Sequence, residues 1–258
     1  MPGAGAFSLR FARPRIVRES VALMEHVPII ATAGALAAAG AFCWGAVAPS
    51  SQLFGRTVRL TGDPRTLALT FDDGPNPEVT PELLELLDAH GARATFFLIG
   101  RHVAAAPALA KEIAARGHVI GNHTQTHPNL ALCSPNAIRR ELELCDQAIQ
   151  EATGRKVSWM RPPFGFRNPA VSRVARGIGC GVAMWSKWAW DWKPQEASAV
   201  IQRLSHAEGG DILLLHDGDH RVLKGNRQHT VDALKHWLPK WKETGLRFVT
   251  LDELGERA

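Results

Sequence analysis

The sequence predicts an α/β domain in which helices cover a parallel β-sheet. From Leu67 onward, short apolar runs alternate with helical patterns, giving seven strand–helix units in roughly 190 residues. Polar clusters follow several of these strands directly, which is where α/β folds place their reactive groups. The periodicity alone is compatible with a closed barrel and with an open, doubly wound sheet.

Each strand is predicted from a short apolar run, and each helix from apolar residues three or four positions apart. The predicted strands are Leu67–Phe71, Ala94–Ile99, His118–Gly121, Val157–Met160, Gly181–Trp185, Asp211–Leu215 and Arg247–Thr250. The predicted helices are Pro81–His90, Val103–Arg116, one that opens at Ser134, Val171–Gly177, Glu196–His206 and Thr230–Thr244. The start at Ser134 is well marked, because serine is a favoured N-cap and Pro135 suits the first turn.

Composition narrows the class of protein. With 258 residues, 45% hydrophobic and 21% charged, the chain is typical of a globular protein. Its net charge is +5, but lysine and arginine are scattered without interleaved aromatics, so nucleic-acid binding is not predicted. The four cysteines form no C-x-x-C motif, although a Cys133–Cys145 pair stays open. Nothing indicates an obligate protein partner.

The N-terminal region is predicted to contact a membrane. Residues 1–26 form a basic leader, and residues 27–48 form a 22-residue apolar run without charge. About 20 such residues cross a bilayer. An uncleaved anchor, a cleaved signal peptide and a buried alanine-rich helix are the three interpretations. Both membrane interpretations place the leader in the cytoplasm and the remainder outside it, either anchored or secreted. Residues 49–64 are predicted to be a linker, and residues 65–258 the folded α/β domain.

Two adjacent carboxylates, Asp72 and Asp73, follow the first predicted strand and precede a Gly-Pro turn. A cap needs only one aspartate, and a second one beside it adds repulsion. Adjacent carboxylates can divide two tasks, since one binds a cation while the other accepts a proton.

Two histidines, His123 and His127, follow the third predicted strand. If this segment forms a helical turn, residues four apart point the same way and suit two ligands of a tetrahedral zinc ion. The helix of zinc metalloproteases requires glutamate after the first histidine, and Thr124 stands there instead. Protease chemistry is therefore disfavoured.

Three further polar clusters end the fourth, fifth and sixth strands: Arg161–Gly165, Trp188–Trp192 and Leu213–Asp217. Taken singly, each has an ordinary explanation as a surface charge, a tryptophan core or a buried histidine. Five clusters that all lie at strand ends instead predict one shared site.

Five ordered segments resemble the motifs of the NodB-homology polysaccharide deacetylases, carbohydrate esterase family 4. They are Thr70–Pro75, His123–His127, Arg161–Phe164, Asp191–Trp192 and Leu213–Asp217. The resemblance covers roughly Arg65 to Leu251. It implies a distorted (β/α)7 barrel, here preceded by an N-terminal hydrophobic segment, and metal-dependent removal of acetyl groups from sugars.

The resemblance also implies a role for individual residues. The metal ligands would be Asp73, His123 and His127, with zinc the predicted ion and Co²⁺ or Ni²⁺ the alternatives. The catalytic residues would be Asp72 as general base, oriented by Arg161, and His216 as general acid, held by Asp191. The substrate-binding residues would be Phe164, through its backbone N–H, and Trp192 and Leu214, which would line the acetyl pocket. Trp188 departs from the pattern, since an aspartate is common at this position in the family.

The predicted function is hydrolysis of N-acetyl groups on an amino-sugar polysaccharide or oligosaccharide. Two alternatives keep the chemistry and change the substrate: a lipid-linked sugar that is deacylated or deformylated, or an O-acetylated polysaccharide. A third interpretation is a carbohydrate-binding protein that has lost catalysis. The paired acid and base argue against it, because binding needs neither.

Overall fold

A computed structural model of the protein describes residues 32–254. The predicted leader 1–26 lies outside the described residues, as do residues 27–31 of the apolar run and residues 255–258. Residues 32–47 form a helix, α1. Within the described part of the chain, no helix combines the length and apolar character needed to cross a bilayer.

The remaining elements alternate between strands and helices. The strands are β1 (Thr66–Gly74), β2 (Thr95–Leu98), β3 (Val119–Asn122), β4 (Trp159–Met160), β5 (Gly181–Val182), β6 (Lys187–Trp188), β7 (Ile212–His216) and β8 (Arg247–Phe248). The helices are α2 (Thr80–Ala89), α3 (Gly100–Ala105), α4 (Pro107–Ala115), α5 (Pro135–Thr153), α6 (Pro169–Gly177), α7 (Ala197–Leu204) and α8 (Gln228–Glu243). Between residues 32 and 254, short 3₁₀ turns are formed by Leu130–Leu132, Pro163–Gly165 and Leu251–Glu253.

All the strand pairs are parallel, in the order β5-β4-β3-β2-β1-β7-β6, with β8 paired to the start of β1. This confirms the predicted parallel α/β sheet and is consistent with the distorted (β/α)7 barrel that the resemblance implies. In the ladder between β1 and β7, Asp72 lies directly beside His216. The register therefore brings two predicted site residues together at one end of the sheet.

Strand β1 has two different faces, although all nine of its residues are buried. Leu67, Leu69 and Phe71 pack into the larger hydrophobic cluster, which also contains the buried faces of the helices. Ala68 packs into a separate cluster with residues of other strands. Successive strand residues point to opposite sides, so Asp72 lies on the same face as Ala68, away from the helices.

Two sequence predictions about elements are wrong in detail. The single helix predicted at Val103–Arg116 is two helices, because Pro107 disfavours the helical conformation at Ala106, whose φ is −137° and ψ 56°. The fifth strand, predicted to reach Trp185, ends at Val182. The chain then crosses from β5 at one end of the strand order to β6 at the other, and this short strand was not predicted.

Other local predictions are confirmed. The Ser134 side chain accepts a hydrogen bond from the Ala137 N–H, and α5 begins at Pro135. One face of that helix is buried through Ile138, Leu142 and Ile149. The Cys133–Cys145 pair, which the sequence left open, is not formed in this structure, where all four cysteines lie in the described part of the chain and are free thiols.

The segment before β1 is attached to the domain. Arg167 is fully buried, and its guanidinium donates hydrogen bonds to the carbonyls of Ala48 (2.7 Å) and Ser51 (2.8 Å). Within the predicted linker, Val58 forms a bridge with Ala183. Buried guanidinium groups are costly unless paired or hydrogen-bonded, so these carbonyls are part of the folded structure.

Candidate active site

A cleft of about 270 Å³ opens at the carboxyl ends of the strands. Of the ten predicted site residues, eight line it, and the other two, Arg161 and Asp191, are buried behind it. The lining residues are Asp72, Asp73, His123, His127, Phe164, Gly165, Phe166, Trp185, Trp192, Leu214, His216 and His220. The five sequence clusters thus meet in one place.

The predicted metal ligands surround one buried oxygen. Asp73 Oδ1 lies 3.5 Å from His123 Nε2 and 3.3 Å from His127 Nε2, and it has no hydrogen-bond partner among the described residues. Ligand atoms that share one ion at about 2.0–2.2 Å stand roughly 3–3.5 Å apart at tetrahedral or octahedral angles. An orphaned buried carboxylate oxygen between two imidazole nitrogens fits a divalent cation.

Neighbouring groups prepare these side chains to bind a cation. His123 Nδ1 lies 2.8 Å from the Arg161 carbonyl, so it donates its proton there and leaves Nε2 with a lone pair. Burial and the nearby His123 lower the pKa of His127 to about 2, which keeps this ring neutral. Burial opposes the charge on Asp73, but His220 and the other facing histidines hold its pKa well below the usual range. His127 is therefore neutral and Asp73 ionised at neutral pH, which are the forms that bind a metal ion.

Asp72 is fixed by a buried arginine. Arg161 Nη1 donates to Asp72 Oδ1 (2.8 Å) and to the Thr70 hydroxyl (2.7 Å), while Nη2 donates to the Met184 carbonyl. The guanidinium also lies 4.2 Å from the ring centre of Phe97. Burial lowers the pKa of Arg161, and the charge of Asp72 opposes that shift. One oxygen of Asp72 is thus held, and the residue as a whole lines the cleft.

His216 is held in a charged network. Its Nδ1 lies 2.9 Å from Asp191 Oδ1, and its backbone N–H donates to Asp191 Oδ2 (2.7 Å). Thr230 donates to the same Oδ2, and His229 Nε2 lies 2.7 Å from the Asp191 carbonyl. Burial alone would lower the pKa of His216, but Asp191 outweighs it and raises the pKa to about 9. The ring is therefore protonated at neutral pH and has a proton to give.

Apolar side chains close one side of the cleft. Leu214 and Trp192 line it together with His216, and the Trp192 ring lies 5.5 Å from the His216 ring. Trp190 stacks on Trp192 at 5.6 Å and is 42% exposed. Phe164 is 48% exposed at the other side, with its ring edge toward His127.

The segment His123–His127 is not a helical turn, which corrects the predicted conformation. Thr124 and His127 have φ values of 69° and 64°, in the left-handed region. The two imidazoles converge because the backbone reverses sharply, and the Thr124 hydroxyl accepts the His127 N–H. Residue spacing identified the pair correctly but not the geometry that brings the rings together.

Left-handed backbone is concentrated around this cleft. Among residues 32–254, five residues other than glycine have positive φ: Asp73, Thr124, His127, Phe164 and Trp190. Four of them lie in the predicted motifs, and Trp190 stacks on a residue that lines the cleft. Such conformations cost of order 1–3 kcal/mol each and cluster where function requires them.

Sequence reasoning missed His220, His229 and Thr230. His220 lies in the loop after β7, with Nδ1 3.8 Å from Asp73 Oδ2. A second histidine four residues past His216 was a usable signal for it. His229 and Thr230 contact Asp191 across 38 and 39 residues of chain, and no local pattern marks such contacts.

Comparison with known proteins agrees with this arrangement. A model of the polysaccharide deacetylase family matches residues 59–183. A peptidoglycan-N-acetylglucosamine deacetylase of Bacillus cereus is 38% identical over 202 residues, covering 77% of this chain and 92% of that protein. A chitooligosaccharide deacetylase of Azorhizobium caulinodans is 33% identical over 75% of this chain and 96% of its own.

A solved structure shares the fold as well. BA3943, described as a family 4 pseudoenzyme from Bacillus anthracis, superposes with a TM-score of 0.70 at 32% identity, covering 77% of this chain and 68% of that one. The fold and the cleft define a polysaccharide deacetylase domain. The chain belongs to the NodB-homology polysaccharide deacetylases of carbohydrate esterase family 4.

Proposed function

We propose that the protein is a metal-dependent hydrolase that removes N-acetyl groups from an amino-sugar polysaccharide or oligosaccharide. One observation carries this proposal. Asp72 and His216 are paired neighbours at the floor of the cleft, beside the Asp73–His123–His127 cluster. Asp72 is a carboxylate that Arg161 holds. His216 is a protonated imidazole that Asp191 holds. A metal-dependent amide hydrolase can use this combination of base, acid and cation.

The residues divide the reaction as follows. Asp72 accepts a proton from the attacking water, while Arg161 holds one of its oxygens. His216 donates its proton to the nitrogen of the leaving amine. Before this step, Asp191 stabilises the protonated form of the His216 ring. Asp73, His123 and His127 would hold the cation, for which zinc fits the ligand set and Co²⁺ or Ni²⁺ are alternatives. When bound, a divalent cation polarises the acetyl carbonyl and lowers the pKa of water.

Recognition of a sugar is supported by the shape and composition of the cleft. Trp192 and Leu214 offer an apolar surface to the acetyl methyl group next to His216. The Phe164 backbone N–H is proposed to hold the oxyanion. The exposed indole of Trp190 extends this surface beyond the cleft, and a flat aromatic face suits the apolar side of a sugar ring. A chain of sugars therefore fits better than a small isolated amide.

The pseudoenzyme relative shows that the fold alone does not establish catalysis, so the proposal depends on the residues. The test is acetate release from chitooligosaccharide, peptidoglycan glycan strands, a lipid-linked acetylated amino sugar and an O-acetylated polysaccharide. We expect release from at least one of the first two, and none from the matched Asp72→Asn variant. Release from the lipid-linked or O-acetylated substrate alone would replace the proposal with the corresponding alternative. Release from none of the four would contradict catalysis.

We also propose that the catalytic domain lies outside the cytoplasm, anchored by the N-terminal apolar run. The buried Arg167 supports anchoring over cleavage after Ala48, because such cleavage would remove one of the carbonyls that the guanidinium binds. A reporter active only outside the cytoplasm, fused after Ala258, tests the orientation. A silent reporter would contradict it, and a mature N-terminus near Pro49 would favour secretion.

A further inference from the structure

The loop between β7 and α8 carries a histidine over the candidate metal centre, and buried contacts fix the loop's path. Asn76 is fully buried, and its side-chain amide donates to the carbonyls of Asp217 (3.0 Å) and Gly225 (2.7 Å). Arg227, which is 4% exposed, forms a 2.9 Å ion pair with Asp219. Both ends of the segment around His220 are therefore tied to the domain.

The His220 side chain faces the same carboxylate as the predicted ligands. Its Nδ1 lies 3.8 Å from Asp73 Oδ2, and its ring stacks on that of His127 at 4.4 Å with an angle of 22°. Its ring centre lies 5.4 Å from that of Phe164, with the two rings nearly perpendicular. One ligand atom each from Asp73, His127 and His220 lie within 4.8 Å of one another.

The 3.8 Å separation is too long for a hydrogen bond between the imidazole and the carboxylate. It is compatible with two atoms that share a cation, since ligands bound at about 2.2 Å stand roughly 3.8 Å apart when the bond angle is about 120°, somewhat wider than tetrahedral. The other oxygen of this buried carboxylate, Asp73 Oδ1, has no hydrogen-bond partner among the described residues. The Asp73 carboxylate is thus surrounded by nitrogens at distances suited to metal binding.

We propose that His220 is a fourth protein ligand of the metal ion in the substrate-free protein, binding through Nδ1. This rests on the proposed metal centre of Asp73, His123 and His127. The His220 side chain is 28% exposed while its backbone is held, so the ring can approach or leave the ion without moving the domain. A fourth protein ligand chiefly retains the ion, because release then requires one more bond to break.

The test measures metal binding rather than catalysis. The full chain is stripped with a chelator and titrated with Zn²⁺ in competition with a metal-binding dye, and separately with Co²⁺ while its visible absorption band is recorded. His220→Ala should weaken Zn²⁺ binding by about tenfold or more, the least that loss of a group supporting a metal site costs. The Co²⁺ band should change in position and intensity, since water would replace an imidazole.

Two matched variants separate the possible outcomes. His206→Ala removes an exposed histidine at the end of α7 and should bind both metals like the wild type. His123→Ala removes a ligand of the proposed centre and should bind far more weakly. If His123→Ala weakens binding while His220→Ala stays within twofold of the wild type with an unchanged Co²⁺ band, the His220 proposal is wrong and the metal centre stands. If His123→Ala has no effect, the metal centre itself is wrong.

Unfolding temperatures of the metal-free proteins check that each variant folds. Should His220→Ala fail to fold, His220→Gln gives the same comparison with a side chain of similar length. A loss of affinity shared by His220→Ala and His220→Gln, with metal-free unfolding temperatures equal to the wild type, supports ligation by the imidazole.

Discussion

The histidines on the two sides of the cleft have the same side chain and opposite electrostatic surroundings. On one side, burial and a neighbouring imidazole lower the pKa of His127 to about 2. On the other, Asp191 raises the pKa of His216 to about 9 despite comparable burial. The partner of Nδ1 differs as well: a backbone carbonyl for His123 and a carboxylate for His216. A neutral acceptor orients a ring without charging it, whereas a carboxylate stabilises its charged form, and this separates a ligand from an acid.

The largest effect is expected when the metal-binding side of the cleft is removed. A His123→Ala/His127→Ala variant should fall from about one bound divalent ion per chain to nearly none, and lose more than about 10³-fold in deacetylase activity, because Lewis-acid assistance is worth several kcal/mol. The measurement is metal content of the purified proteins by mass spectrometry, with acetate release alongside. Both residues lie in the loop after β3, so circular dichroism should stay unchanged. Equal metal content in the two proteins would refute the ligand assignment.

The next prediction separates base from acid. Asp72→Asn and His216→Ala should each lower kcat on an N-acetylated sugar by about 10²–10⁴-fold, the usual contribution of a general base or acid. On an activated aryl acetate the leaving group needs no proton, so His216→Ala should recover part of its rate while Asp72→Asn stays slow. Both variants should keep their metal. Equal losses on both substrates would mean that the acid and base roles are assigned wrongly.

A smaller effect is expected from changing the partner of His216. Asp191→Asn keeps a hydrogen-bond acceptor but removes the charge, so the pKa of His216 should fall from about 9 toward its ordinary value. A general acid acts only in its protonated form, so the alkaline limb of the plot of kcat/KM against pH should move to lower pH. At pH 8, kcat/KM should fall by about tenfold or more. Asp232→Asn, on the surface of α8, is the control and should leave the limb in place. An unmoved limb in Asp191→Asn would exclude His216 as the group that titrates.

The smallest expected effect is on the stability of the metal-free protein. The pKa of His216 is raised on folding, so protonation of this residue stabilises the folded state. Its contribution to the free energy of unfolding is complete below about pH 6.5, declines as the pH rises and is lost above about pH 9. This contribution amounts to at most about 3 kcal/mol. The lowered pKa of His127 has the opposite sign, since the unfolded chain binds that proton first, and destabilises the fold below about pH 6.5.

Urea unfolding between pH 5 and 10 measures both slopes. The free energy of unfolding of His216→Ala should approach that of the wild type as the pH rises through 9. That of His127→Ala should decline less than the wild type below pH 6.5. Parallel curves for the wild type and both variants would contradict the difference between the two sides of the cleft.

The sequence was sufficient to predict which residues meet, because strand periodicity and strand ends are local properties. Asp72 and Asp73 follow a buried run directly, and the parallel sheet brings that end beside His216. How the residues meet was not predictable. The reversal at Thr124 depends on a single backbone conformation, which residue spacing does not encode. The break at Ala106, in contrast, could have been predicted from Pro107.

Residues that support the site from a distance were also missed. Thr230 lies in the first turn of α8, and it reaches Asp191 only because the helix packs back over the loop after β6. His220 lies four residues past His216, which is a local signal that it belongs to the site, but the path by which its irregular loop returns over Asp73 has no such signal. Such contacts depend on the path of loops in the tertiary structure, and loops have no hydrophobic periodicity from which that path could be predicted.

The left-handed residues around the cleft have a consequence for how this sequence can change over evolutionary time. Glycine would relieve the backbone strain at the five left-handed positions, which are Asp73, Thr124, His127, Phe164 and Trp190. Selection for stability alone would therefore favour glycine or asparagine there. A side chain other than glycine at any of these five positions therefore costs conformational free energy. If a copy of this domain is no longer selected for catalysis, we expect it to replace these five side chains early and to become more stable as it does. The residues at these positions would then indicate whether a given domain is still selected for catalysis.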